Sequence, residues 1–491
     1  MKFWKHRRTK GSGHSLSLLI HIGLVLFTAL VIAYLLWILW TGTWRLTLTD
    51  DLDDKARIEI AKIVLAIVGG LGGVVFLTIG YRKQCDGEAA EAREQSKHFH
   101  ERFSSAAEQL GSDAARIRMA GVYGMVALAD DWDAGRQRCI NVLCAYIRAP
   151  YEPPIDLEET ASDDERERHK SATEEREIRR AILDEFGDRL RAEPFDGRTW
   201  HYHKFDLSSA VIDAGNMSNA IFTDMTAMDL SNAIFPPGSF TLAGSKFQKG
   251  CAVIFRNAQF TGGIVSFSRA VFCSDISFEG TKCLAGEILF NDASVLGGCL
   301  DFSNSEISGC KVMFDRSSCV EGQISFTSSK LLEGTISFDL AKLDGVSVMF
   351  SSAECRGVQI TFFDSMLRGG QIDFSATEFH GGSMCFNRVK FSGIEGFFTG
   401  VKFWDGYISF SLFNVSAGFL FFDSAKFYGG QFEFFHSSIS GGIVSFDSSE
   451  FGECDFGFHL ASYSGGELRL NDLRGRVPSK FRTFLSGESS K

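Results

Sequence analysis

The residues able to do chemistry in this chain are scattered. Eleven histidines and twelve cysteines occur in 491 residues, and the first question is whether any of them gather. His98 and His100 stand two apart in a helix-forming stretch, so their side chains point to different faces and solvated imidazoles explain them better than a metal site. His201 and His203 flank Tyr202, an HxH whose ordinary reading is structural. Cys283, Cys319 and Cys355 follow one another at thirty-six residues, too far along a regular chain for Cα atoms to approach the ~7 Å that a disulfide needs. They read as small apolar core residues, and the cysteines as mostly free thiols in a reducing compartment. No phosphate loop, nucleophile elbow, dinucleotide fingerprint, HExxH helix or CxxC pair occurs. Catalytic, metal and cofactor-binding residues are therefore expected to be absent, and the chain is read as not an enzyme.

The acids Asp301, Asp315, Asp339 and Asp423 follow a repeat and read as a solvated exterior. With 61 acids against 50 bases the net charge is −11. Direct nucleic-acid binding is thereby disfavoured, because a surface that neutralises phosphates must be basic.

The elements that carry these residues follow from periodicity. Phe occurs 47 times and Gly 50 times, mostly after residue 240. Phe255 and Phe267 are followed, after a one-residue slip, by Phe278. Then Phe290, Phe302, Phe314, Phe326, Phe338, Phe350, Phe362, Phe374 and Phe386 recur every twelfth residue, and the series continues to Phe458. An apolar residue stands five after each Phe, as in Val295 and Leu331, and a second stands two before the next, as in Leu300 and Ile336. A small residue such as Ala293 or Ser305 stands three after it. Inward positions thus come as pairs with the period of a strand. Glycine pairs such as Gly297-Gly298 and Gly369-Gly370 mark the longer link, where a corner needs positive φ. One coil takes either twenty-four residues on four faces or twelve on two. The thickness needed for paired Phe ladders favours twenty-four.

Leu16 to Trp40 is almost wholly apolar, with His21 its only ionisable residue, and Ile58 to Tyr81 is broken only by Glu59 and Lys62. Each is long enough to cross a ~30 Å hydrocarbon core. The first run is too long, and lacks the cleavage site, for a signal peptide. Lys2, Lys5, Arg7, Arg8 and Lys10 precede the first run, Arg82 and Lys83 follow the second, and Asp50, Asp51, Asp53 and Asp54 lie between. The positive-inside rule then places both termini in the cytoplasm. Gly69 and Gly73 form a small-xxx-small pair for transmembrane packing, through which a homodimer is one expectation.

The resulting division is a basic cytoplasmic N-terminus (1–15), transmembrane helix 1 (16–40), an acidic external loop (41–57) and transmembrane helix 2 (58–81). A cytoplasmic helical segment (82–150), a charged helix or linker (151–200) and a pentapeptide-like start of the solenoid (201–250) come next. The twelve-residue repeat (251–472) and a flexible tail (473–491) complete it. Within 86–150 the spacing predicts three helices, the first from Glu91 to Leu110 and closed by Gly111. Gly121 and Gly124 are expected to let the second pack closely on a neighbour.

Between Phe205 and Phe235, Leu207, Ile212, Met217 and Phe222 fall five apart, with Ala210, Ala220 and Ala233 two before an apolar centre and Asp206, Asn216 and Asp229 directly before one. This pattern resembles the pentapeptide-repeat family. The order of hairpin, Glu101-Arg102-Phe103 through Ser112, Gly121-Val122-Tyr123 and Phe/Gly-rich units is similar to its membrane-anchored bacterial members. The resemblance implies a mixed fold: a transmembrane α-hairpin, a small soluble α-helical segment and a C-terminal right-handed quadrilateral β-helix. It implies a multi-pass protein of the inner (plasma) membrane and no common activity. Three functions are expected to compete. The first is a non-catalytic scaffold whose partners are the lipid bilayer and unknown proteins. The second is an acidic DNA mimic acting on a topoisomerase, and the third a membrane-acting effector or immunity component.

Overall fold

The computed structural model describes residues 54–477, other than 159, 195, 196, 458, 460 and 464, and isolated helical positions at 23, 27, 28, 31, 34, 35 and 38. The first expected span, the loop up to Asp53, Phe458 and the tail from residue 478 lie outside the described residues, apart from those isolated positions. The chain divides into two compact units, 1–100 and 101–491.

Among the described residues, and apart from those isolated helical positions, four α-helices precede the solenoid. They are α1 (Asp54–Leu110), α2 (Ala115–Asp131), α3 (Arg136–Arg148) and α4 (Asp163–Arg191). Helix α1 joins the apolar run at 58–81 to the polar stretch at 91–110 without a break, because nothing between them is a strong helix breaker. Its stretch Leu65–Leu110 contains a window of mean hydropathy 1.6 and is long and apolar enough to cross a membrane by length and composition. Among the described residues it alone is so, and the hairpin is reduced to this one candidate.

In the second unit Gly121 brings α2 against the last turns of α1. A Cβ there would stand 2.7 Å from Leu110 N and 3.0 Å from Ala106 O, so the expected close packing is present and depends on a hydrogen in place of a side chain. Helix α4 starts at a capping box, in which Glu165 N donates to Ser162 Oγ (3.3 Å) and Ser162 N to Glu165 Oε2 (2.7 Å). Acids fill its first turn and Arg189 and Arg191 its last, complementing the helix dipole.

The charge run at 151–200 reads in sequence as a solvated helix or hinge, but one side of α4 is buried. Ile178, Ile182, Leu183, Phe186 and Leu190 are inaccessible. Phe186 lies 5.0 Å from Phe205 and 5.8 Å from Trp200, centroid to centroid. A Cβ on Gly187 would stand 2.6 Å from Asn216 O. The helix therefore closes the first coil, whose backbone would otherwise be an open sheet edge. Side chains satisfy that edge. Gln137 donates to Lys204 O (2.7 Å) and accepts from Lys204 N (2.9 Å). Asp184 accepts from Asn216 N (2.6 Å), and Arg191 donates to Asn216 O and Ser218 O at 2.9 and 2.6 Å. Arg179, itself buried, donates to Ile147 O and Ala149 O at 2.7 and 2.8 Å and so caps α3.

The solenoid is a stack of about 11 parallel coils. Ser294 pairs with Ser318, Ser318 with Lys342 and Lys342 with Met366, so one coil takes twenty-four residues and the twelve-residue alternative is excluded. Each coil contributes two inward Phe residues on opposite sides. In the first ladder Phe290, Phe314, Phe338, Phe362 and Phe386 stack at 4.7, 4.8, 4.7 and 4.9 Å. In the second Phe302, Phe326, Phe350 and Phe374 stack at 4.9, 4.9 and 4.6 Å. The ladders meet edge to face, as Phe290 and Phe302 do at 6.1 Å and 87°, a geometry the ring quadrupole favours. The first coils depart from the strict register. Lys204 faces Ala227 and Ala227 faces Ala252, offsets of 23 and then 25 residues, which is how the phase slips seen in the sequence are absorbed.

The corners differ from expectation. Glycine does supply positive φ at the longer link, as at Gly370 (φ +72°), where a Cβ would stand 2.2 Å from Val346 O. A second corner, two residues after the Phe, holds positive φ mostly without glycine: Asp292 (58°), Asn304 (57°), Arg316 (55°) and Leu340 (60°) among others, with Gly280 and Gly400 as exceptions. Ala293 N donates to Phe290 O (3.0 Å), closing a turn of the type II kind, while Asp292 N reaches Asp315 O on the next coil (2.9 Å). Stacking hydrogen bonds thus hold a conformation the side chain disfavours. At the small position, hydroxyls are buried yet satisfied: Ser329 Oγ donates to Phe302 O (2.8 Å) and Thr377 Oγ1 to Phe350 O (2.7 Å), one coil back.

Replacing Phe338 by Ala is expected to cost about 3–5 kcal/mol, read as a lowered midpoint of the solenoid's denaturant unfolding; an unchanged midpoint contradicts a stacked core. Leu340→Asn, at an exposed positive-φ corner, should instead raise that midpoint by about 1 kcal/mol in stability, since asparagine tolerates this conformation.

Candidate interaction surface

The residues singled out by periodicity do not form a site. Phe290 through Phe386 lie inside the coils at 1 % exposure or less and cannot touch a ligand. Gly69 and Gly73 are exposed, and nothing lies within 4 Å of a Cβ built on either, so no described residue packs on them. His201 is buried, its Nε2 bonded to Ala192 O at 2.9 Å, and His203 Nδ1 meets His201 O at 2.8 Å. Both hold the entry to the first coil. No cluster of three metal-ligating side chains occurs among the described residues.

The cysteines need one correction. Cys283 is bonded to Cys310, with Cα atoms 5.5 Å apart. Residues in the same phase as Cys283 are indeed too distant, as Cys319 and Cys355 are. Cys310, however, lies one coil and three residues further on, in the strand Glu306–Met313 that pairs in parallel with the Cys283 strand Lys282–Leu289. The other ten are free. Burial pushes the Cys319 thiol up to about 11 and raises that of Cys355 further, as expected for inert core thiols.

The expected solvated acids are partly structural. Asp339 Oδ1 accepts from Phe363 N (2.8 Å) and Asp423 Oδ1 from Asp447 N (3.1 Å), each one coil on. Asp315 accepts from Ser337 Oγ, and its carboxyl is held above the usual aspartate range by burial first and by the charge of Asp339 as well. Other exterior charges pair between coils: Glu287 with Lys311 (2.9 Å), Asp292 with Arg316 (2.8 Å) and Glu378 with Lys402 (2.7 Å). An open polar depression lined by Arg256, Asn257, Glu279, Gly280 and Asn304 is bridged by the Arg256–Glu279 pair at 3.0 Å.

What distinguishes one stretch of the exterior is a column of rings. His380, Trp404 and Tyr428 occupy the position six after successive Phe residues of one ladder, so the register places them on consecutive coils. The His380 and Trp404 rings lie 5.9 Å apart and 5° from parallel, and Trp404 and Tyr428 stack at 4.3 Å. Trp404 remains 46 % exposed. Glu378 meets His380 Nε2 at 3.4 Å and Lys402 at 2.7 Å; the Lys402 hydrogen bond first, and then its charge, hold the Glu378 carboxyl below its usual range. Equivalent positions earlier in the same column are Leu284, Ser308, Leu332 and Arg356, so the rings are not imposed by the repeat. The column was legible in the sequence as three aromatic residues at a spacing of twenty-four, but only once the coil length is known.

No family model, curated protein or solved structure matches the chain. What the geometry defines is a β-solenoid of stacked parallel coils with a regular Phe ladder and a helical region before it, consistent with a pentapeptide-repeat-like fold.

Because Asp315 titrates upward on folding, its contribution to stability is present below the ordinary aspartate pKa of about 3.9 and is lost as pH rises through the raised folded value. Asp315→Asn keeps the acceptor for Ser337 and is expected to be more stable than the parent at pH 7, by on the order of 0.5 kcal/mol. The gain should vanish at pH 3. Equal midpoints at both pH values contradict the burial of this charge.

Proposed function

We propose that the chain is a non-catalytic, membrane-anchored scaffold that presents the ring-bearing side of its solenoid to a protein partner. In this reading the runs at 16–40 and 58–81 form a transmembrane hairpin in the inner (plasma) membrane with both termini cytoplasmic. The solenoid is a right-handed quadrilateral β-helix of pentapeptide-repeat kind. The open flank around Gly69 and Gly73 would suit a second copy of the span. The hydropathy of helix α1 supports the anchor by length and composition.

The observation that carries the scaffold reading is the exposed column of His380, Trp404 and Tyr428. Large aromatic side chains are enriched where proteins bind one another, and a rigid solenoid holds them without the entropy cost of ordering a loop. A mimic of duplex DNA needs long columns of unpaired acids. Here Glu287, Asp292 and Glu378 each face a base one coil away, which weighs against that alternative.

The test places a photoreactive phenylalanine analogue at Trp404 or Tyr428 of the full chain in native membranes, with Ser392 and Ser416, half a coil away, as controls. A discrete protein adduct from the first pair and none from the second is the expected result. Adducts from neither pair, or equally from both, would count against the surface.

A further inference from the structure

We propose that a second face of the solenoid, built on Phe397, Phe419 and Phe421, binds a protein segment in which lysine or arginine stands beside apolar side chains. This face is separate from the ring column at Trp404, which belongs to the other sheet.

Parallel register stacks the strands Gln371–Asp373, Lys390–Phe397, Asn414–Phe421 and Ile443–Ser445 one above another. Ile372, Leu420 and Val444 point into the core, so strand alternation turns the residues on either side of them outward. Along the stack those outward positions pass from polar (Gln371, Asp373) to aromatic (Phe397, Phe419, Phe421) and then to Ile443. The Phe397 and Phe421 rings lie 5.8 Å apart and those of Phe419 and Phe421 5.6 Å, centroid to centroid. All three, and Ile443, keep part of their surface in water. The repeat does not require rings there, since earlier coils hold Gln323, Ser325 and Ser347 at the same positions. A contiguous apolar patch on an otherwise polar exterior marks a contact surface.

Charge decides the kind of partner. Asp373 stands opposite Phe397 in the register and Glu395 opposite Phe419. Asp423 and Asp447 occupy the adjoining corner on consecutive coils, where Ser424 N donates to Asp447 O at 2.8 Å. The hydrogen bonds to these carboxylates come from uncharged donors: Ser375 N to Asp373 (2.8 Å), Asp447 N to Asp423 (3.1 Å) and Asn471 N to Asp447 (2.7 Å). Their charge is therefore not cancelled. Arg469, whose field reaches Asp423 and Asp447, is itself held by Glu467 at 2.8 Å, so that pair adds no net charge. The flanking columns carry Arg368 on one side and, on the other, Lys426 and a Lys402 bound to Glu378 at 2.7 Å. An aromatic face with a negative rim repels phosphate, which weighs against an anionic lipid surface or a nucleic acid. It also repels the same face of a second copy. A cationic, apolar segment satisfies both the rings and the rim.

The test titrates the full chain, in phosphatidylcholine nanodiscs with empty discs subtracted, with a peptide of alternating lysine and leucine and with one of alternating glutamate and leucine. The lysine peptide should bind and the glutamate peptide should not. Affinity for the lysine peptide should fall roughly tenfold in Phe397→Ser with Phe421→Ser, which removes the aromatic contact. It should fall roughly fivefold in Glu395→Lys, which leaves every ring in place and reverses one rim charge. Trp404→Ala should bind as the parent does. No binding to the parent, equal binding of both peptides, or undiminished binding in both the serine and the lysine variants overturns the proposal. So does binding that survives the serine variant and is lost in Trp404→Ala, because the ring column would then be the site.

Discussion

Each inward phenylalanine rests on the ring twenty-four residues away at 4.4–5.2 Å through most of both ladders, the separation that parallel strands themselves keep. The match between ring spacing and strand spacing makes the backbone ladder and the core one interaction. A coil that pairs in register stacks its rings, and a coil that slips by one residue turns those rings outward. Other features depend on that condition. The small position beside each Phe leaves room for the ring, and its hydroxyl, as at Ser305, Ser329, Thr377 and Ser449, is satisfied by the Phe carbonyl one coil back. The positive-φ corner at Asp292, Arg316 and Leu340 is held by hydrogen bonds to the next coil.

A stack held by nearest neighbours has its weakness at the ends. The helices before the solenoid answer it at the first coil with contacts of two kinds. Phe186 and Trp200 continue the apolar interior past the last inward ring, and Gln137, Asp184 and Arg191 take the hydrogen bonds that a preceding coil would have taken. The high charge of α4 therefore serves two faces, one in solvent and one meeting an exposed backbone. Removal of the helices should be felt as fraying of the coils and not as the loss of an independent domain.

Because the interior is committed to packing, distinctive chemistry is left to the exterior. Some exterior charges, such as Glu287 with Lys311 and Asp292 with Arg316, form ion pairs between coils that are individually weak at such exposure. The ring column at His380, Trp404 and Tyr428 stands out because it stacks three rings at positions that elsewhere hold Leu284, Ser308, Leu332 or Arg356. Such departures from the repeat are where a solenoid can differ from its own average.

The period, the inward phenylalanines, the small position and the helices at 115–131 and 136–148 were legible in the amino-acid order, since each follows from side-chain spacing within a strand or helix. Charge pattern, hydropathy and the Gly121 contact were legible for the same local reason. Tertiary structure decided whatever depends on which residue lies above which. It chose twenty-four residues per coil, brought Cys310 beside Cys283, turned the charged helix into the cover of the first coil, and assembled three dispersed aromatic residues into one column. Periodicity specifies direction, inward or outward, but stacking neighbours are separated by a full coil. Only the hydrogen-bonded register between coils sets that separation.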